Sequence, residues 1–151
     1  MQTNTQNPTS IEIANTLYEH GRTPLALIHF TKKPKGKDGN GSDWSNISYS
    51  SLQDMQLHFK NPDHGIGLLL GKNDIVLDID DENIANHYTY TILKALKIPT
   101  SINVIGRQKK AVGAILYQTD DNPKHYEIQD TSGKVLVELL VKGAQKVLPP
   151  S

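Results

Sequence analysis

Residues 65–80 read Gly65-Ile66-Gly67-Leu68-Leu69-Leu70-Gly71-Lys72-Asn73-Asp74-Ile75-Val76-Leu77-Asp78-Ile79-Asp80. Two apolar runs, Gly65 to Leu70 and Ile75 to Asp80, flank Gly71-Lys72-Asn73-Asp74, a composition suited to a tight connection between antiparallel strands. The spacing predicts a hairpin. In the second run strand alternation puts Val76, Asp78 and Asp80 on one face and Ile75, Leu77 and Ile79 on the other. Two carboxylates then point the same way, about 6.5–7 Å apart along the backbone, where their oxygens converge on one or two hard cations. Mg²⁺ favours such oxygens together with substrate phosphates. A plainer use competes: Asp80 or Asp81 capping a helix that begins near Glu82.

A second acid tips the balance towards metal. Glu138 stands alone in Lys134-Val135-Leu136-Val137-Glu138-Leu139-Leu140-Val141, otherwise the pattern of a central strand. Desolvating an unpaired carboxylate costs several kcal/mol, so buried acids are paired, protonated or bound to metal. The competing expectation is an edge strand from which Glu138 faces solvent.

Working outward, Ile13, Ala14, Leu17 and Tyr18 mark a first helix, capped by Ser10 or Thr9 and ended by Gly21. Leu25 to Phe30 reads as a strand and Thr31 to Asn46 as a long loop. Leu52, Met55 and Phe59 mark a short second helix, capped near Ser51 and stopped by Asn61-Pro62. Glu82 to Leu96 reads as one helix, ended by Lys97 and Ile98-Pro99. Short β-like runs follow at Ser101 to Ile105, Ala111 to Gln118, Tyr126 to Gln129, Val135 to Val141 and Lys146 to Leu148, punctuated by turn residues. Helices early and antiparallel strands late predict an α+β fold and not a doubly wound sheet.

A chain of 151 residues fits a single domain, 1–151. Negative mean hydropathy and the lack of a long apolar run exclude a membrane-spanning helix. Met1 to Ser10 lacks the basic and apolar regions of a secretory signal, which predicts a cytoplasmic protein. Without cysteine there is no disulfide, thiolate zinc site or cysteine nucleophile, so His, Asp and Glu must carry any metal. Sixteen basic and sixteen acidic residues cancel, so any grip on nucleic acid is local. Arg107, Lys109 and Lys110 form a basic loop with donors for phosphate oxygens, or else a solvated surface. Lys32, Lys33, Lys35 and Lys37 near Trp44 offer a template contact with a stacking ring, although a solvated loop over a core Trp is the simpler reading. Gly67 to Lys72 lacks the Walker spacing and reads as turn glycines.

The order of these pieces resembles the N-terminal domain of bifunctional DNA primase/polymerases, members of the archaeo-eukaryotic primase superfamily found with plasmid, phage and mobile-element replication genes. The matching elements are Lys33-Pro34 before Trp44, Gly65-Ile66-Gly67-Leu68 with Leu70-Gly71, Val76-Leu77-Asp78-Ile79-Asp80, Val137-Glu138, and Val147-Leu148-Pro149-Pro150-Ser151. The resemblance implies a two-layer core with an antiparallel, RRM-like sheet. In it Asp78, Asp80 and Glu138 hold Mg²⁺ or Mn²⁺ and carry nucleotidyl transfer, while Arg107, Lys109, Lys110 and Lys142 bind the nucleotide. The implied partners are nucleoside triphosphates, a DNA template and primer, and a replicative helicase domain or protein. Relatives continue past the position of Ser151, which implies a chain truncated at its C-terminus.

Two positions depart from the family pattern. Ala114 stands where the family carries a nucleotide-contacting histidine, and none of His20, His29, His58, His64, His87 or His125 takes that place. Leu140 stands two residues after the third acid, where an arginine is usual. Impaired catalysis follows, and two other readings stay open: a degenerate module that only binds nucleic acid, and a metal-dependent phosphoesterase or nuclease built on the same acids.

Overall fold

The computed structural model describes residues 8–28, 32–36, 43–98, 103–107 and 110–148, with backbone alone at 103–104, 107 and 110–112. Two compact units emerge, one from residues 1–69 and 145–151 and the other from residues 70–144. Among the described residues no helix is long and apolar enough to cross a membrane.

The first unit opens with helix α1 (Ser10–Glu19), and its cap is Thr9. The Thr9 hydroxyl accepts from the Glu12 N–H at 3.4 Å, while the Glu12 carboxylate accepts from the Thr9 N–H at 2.7 Å. This reciprocal pair satisfies two amides that the first helical turn leaves open. The Thr9 N–H, and then the Thr9 hydroxyl donating to the same carboxylate at 2.8 Å, hold the Glu12 carboxyl below the usual carboxylate range. Thr9→Ala removes the cap and is expected to cost about 1 kcal/mol, read as a lower urea midpoint at unchanged slope.

Strand β1 (Thr23–Leu27) pairs antiparallel with β2 (Gly65–Leu69), which pairs on its other edge with β8 (Gln145–Leu148). Leu25, Ala26, Leu27, Ile66 and Leu68 are fully buried here. At Gly67 an added Cβ would lie 3.1 Å from Leu27 Cδ2 and 3.2 Å from Gln145 Oε1, so a side chain there is accepted only if these neighbours give by a few tenths of an ångström. Helix α2 (Leu52–His58) is capped by the Ser51 hydroxyl, which accepts from the Asp54 N–H. Tyr49 donates to the Pro24 carbonyl at 2.7 Å, and burial, then the nearby Asp54 charge, pushes its hydroxyl well above the usual tyrosine range.

The second unit is a five-stranded antiparallel sheet in the order β4-β5-β3-β7-β6. Its strands are β3 (Asp74–Ile79), β4 (Asn103–Arg107), β5 (Lys110–Gln118), β6 (Tyr126–Gln129) and β7 (Val135–Leu140). Two helices, α3 (Glu82–His87) and α4 (Thr89–Ala95), form the second layer. Leu77, Ile79, Ile115 and Val137 from the sheet pack with Ala85 and Leu93 from the helices and with Ile98. The fold is therefore α+β with antiparallel sheets, as the sequence predicts.

Two local expectations are corrected. Strands β2 and β3 do not form a hairpin with each other. The turn is real, with the Asp74 carboxylate accepting the Gly71 N–H at 3.0 Å. Yet β2 has both edges filled by β1 and β8, and β3 has both filled by β5 and β7. The single helix over Glu82 to Leu96 is also broken, at Tyr88. The Thr89 hydroxyl donates to the Ala85 carbonyl at 3.0 Å, taking the acceptor that the Thr89 amide uses in a continuous helix. His29 and Phe30, at the end of the first predicted strand, lie outside the described residues.

Candidate active site

The acids are placed by the register of the five-stranded sheet. Asp78 lies directly opposite Glu138 on one side and Ala114 on the other. Glu138 lies opposite Glu127, and Ala114 opposite Ile105. One row thus crosses all five strands: Glu127, Glu138, Asp78, Ala114, Ile105. Residues directly paired across antiparallel strands point to the same face with Cβ atoms about 4.5–5.5 Å apart. Leu77 and Val137, one residue along, belong to the helix-covered core, so the row stands on the opposite face. Its neighbour row, Leu140, Val76 and Leu116, is apolar.

Three carboxylates in adjacent positions of a sheet repel one another, a net cost unless a cation or donor neutralises them. Among the described residues His125 faces two of them. His125 Nε2 stands 2.8 Å from Glu138 Oε1 and 3.8 Å from Glu127 Oε1. Strand β7 lies between β3 and β6, so Glu138 belongs to an interior strand, with its side chain 26% exposed.

Asp80 follows the end of β3, and its N–H donates to the Leu136 carbonyl at 2.9 Å. It is exposed, whereas Asp78 is partly buried. Capping of α3 falls to Asp81, whose carboxylate accepts the Ile84 N–H at 3.0 Å. The β6–β7 turn that sets the Glu127 and Glu138 pairing is fixed by Asp130, which accepts from the Ser132 hydroxyl and from the Ser132 and Lys134 amides. Those bonds, the Ser132 hydroxyl foremost, hold the Asp130 carboxyl below its usual range.

The basic residues are distributed unequally about this row. Arg107 pairs with Lys110 at the β4–β5 connection, which lies beyond the row at the Asp80 end of β3. The side chains of Arg107 and Lys110, and the whole of Lys109, lie outside the described residues. Lys142 occupies the exposed turn after β7, four residues past Glu138 and in the opposite direction. Ala114 is 1% exposed and faces Asp78 in register, and Leu140 faces Val76.

The family model described as bifunctional DNA primase/polymerase, N-terminal, matches residues 13–151. The chain belongs to this prim-pol family. A search of curated proteins finds no match. Prim-pol membership carries a DNA primase/polymerase-type function of the nucleotidyltransferase kind, with nucleotides and DNA as substrates and a general dependence on metal ions. Strand β3 is the central strand of the five, and the row of carboxylates crosses it at Asp78.

Sequence reasoning missed Glu127 and His125. Glu127 reads as an ordinary polar position in a four-residue strand, and His125 precedes that strand in an irregular segment. The available signal was parity: residues 125 and 127 share a face, and the β6–β7 hairpin spacing brings that face to Glu138.

Proposed function

We propose that the chain transfers nucleotides to a primer or an initiating nucleotide during replication of a plasmid, phage or mobile element, with Asp78, Asp80 and Glu138 as its metal-holding acids. The observation that carries this reading is the in-register pairing of Asp78 with Glu138 on adjacent interior strands. The residue types suit a hard cation, with the Asp78 and Glu138 carboxylates paired across adjacent strands and their like charges open to neutralisation by a dication, whereas Asp78, Asp80 and Glu138 do not converge as a group of three in the structure. When bound, Mg²⁺ or Mn²⁺ supplies activation of the attacking hydroxyl and neutralisation of triphosphate charge.

The chain's own residues supply position. Asp78 and Glu138 are fixed by the ladder, and Asp80 follows the end of β3 on the side of the row where the β4–β5 connection lies. Arg107, Lys109 and Lys110 on that connection are assigned to the triphosphate. Lys142, at the far end of β7, is assigned a weaker part in nucleotide binding. A helicase domain or protein is the expected partner, and the cytoplasm the expected compartment.

Ala114 and Leu140 favour a second reading, a degenerate prim-pol module that binds nucleic acid without incorporating nucleotides. A methyl group beside Asp78 offers no proton or donor where the family places an imidazole. Extension of a primed DNA template with Mn²⁺ separates the two. The parent chain is expected to extend slowly, and Ala114→His to extend at least about tenfold faster, a modest share of what a positioned proton donor supplies. Absence of extension by both variants favours the binding module, and cleaved DNA in place of extended primer favours a nuclease.

A further inference from the structure

At the edge of the five-stranded sheet, His125, Glu127 and Glu138 bring one nitrogen and two carboxylate oxygens within 4.8 Å of one another. Among the described residues this is the group of three such side chains that converges. We propose that it is a binding site for a divalent transition metal that accepts imidazole nitrogen, Zn²⁺ being the best fit, which shares Glu138 with the hard-cation position assigned to Asp78, Asp80 and Glu138 but uses neither aspartate. The inference rests on the cluster itself and does not require the polymerase reading.

Donor chemistry selects the ion class. Imidazole suits Zn²⁺ and its neighbours, whereas Mg²⁺ prefers an all-oxygen shell with retained water. Geometry agrees. Ligand atoms around a tetrahedral ion with bonds of about 2.1 Å stand roughly 3.4 Å apart, and His125 Nε2 lies 2.8 Å and 3.8 Å from its two carboxylate neighbours. Small rotations of exposed side chains are enough to close the set. The backbone is already in place, because Glu127 and Glu138 are direct cross-strand partners and residue 125 lies two before Glu127 on the same chain. Three protein ligands at an accessible surface leave a fourth position for water or a substrate oxygen, the arrangement of catalytic rather than structural zinc sites.

The test is Zn²⁺ affinity by competition with a chromophoric chelator on tag-free protein, with X-ray absorption at the zinc edge counting imidazole ligands. The parent is expected to bind one equivalent with one imidazole per zinc. His125→Gln and Glu127→Gln should each weaken binding at least about tenfold, the lower end of what loss of even an outer-shell partner costs, and His125→Gln should erase the imidazole signature. Both side chains lie at the surface of a sheet edge, and unchanged circular dichroism confirms that the variants fold. Asp78→Asn should leave zinc affinity and the imidazole count intact while abolishing primer extension, so the two proposals fail separately. No stoichiometric binding by the parent, or unchanged affinity in both His125→Gln and Glu127→Gln, overturns the site.

Discussion

Asp78→Asn is expected to lower metal-dependent primer extension by about three orders of magnitude while leaving the metal-free protein as stable as the parent or slightly more so. The first effect follows from losing one of the carboxylates that hold the cations, whose charge stabilisation in the transition state amounts to several kcal/mol at 1.36 kcal/mol per tenfold in rate. The second follows from the register. Asp78 faces Glu138, which faces Glu127, and like charges directly opposite each other in a sheet destabilise it by roughly 0.2–1 kcal/mol. Neutralising the middle of the row removes that repulsion without changing side-chain volume. Steady-state incorporation and thermal melting in a chelator read the two effects. A variant that loses activity only because it unfolds would miss the second.

Leu77→Ala is expected to destabilise the second unit by about 2–5 kcal/mol, the range for truncating a buried leucine. Leu77 is 2% exposed and packs with Ile79, Ile115 and Val137 of the sheet and with Ala85 and Leu93 of the helices. It also precedes Asp78 on the same strand, so the side chain that anchors β3 to the helix layer lies back to back with the candidate ligand. A loss of this size is a large fraction of the total stability of a domain. It is read as a fall in melting temperature, and primer extension should fall with it at temperatures where the parent is folded.

Much of this layout is visible in local sequence. Strand β6 (Tyr126–Gln129) is bounded as predicted, because Asn122-Pro123 and Ser132-Gly133 punctuate it on both sides. Thr9 and Ser51 cap α1 and α2 as their residue types require. What local pattern does not contain is pairing between distant strands. The turn at Gly71–Asp74 forms with its own hydrogen bond, yet it joins strands of two different sheets, since partners for β2 and β3 come from elsewhere in the chain. The same limit hid the neighbour of Glu138. Alternation along β3 and β7 fixed which side chains share a face within each strand, and only the ladder fixed that Asp78 and Glu138 stand opposite. Tyr88 shows the reverse problem: helical periodicity runs through it, while a single hydroxyl at Thr89 diverts the carbonyl that would have carried the helix on. His125 and Glu127 were hidden by ordinariness, being polar residues at an exposed sheet edge.

The central claim is that the Asp78 and Glu138 pair recruits a magnesium-bound nucleotide. Isothermal titration of a non-hydrolysable deoxynucleoside triphosphate, in Mg²⁺ and again in excess chelator, into the parent chain and Asp78→Asn tests it directly. Binding by the parent is expected to saturate, to require Mg²⁺ and to be at least about tenfold weaker in Asp78→Asn, by analogy with the cost of disturbing a metal's ligand shell. Equal affinity in the two proteins, or binding by the parent that survives the chelator, would contradict it.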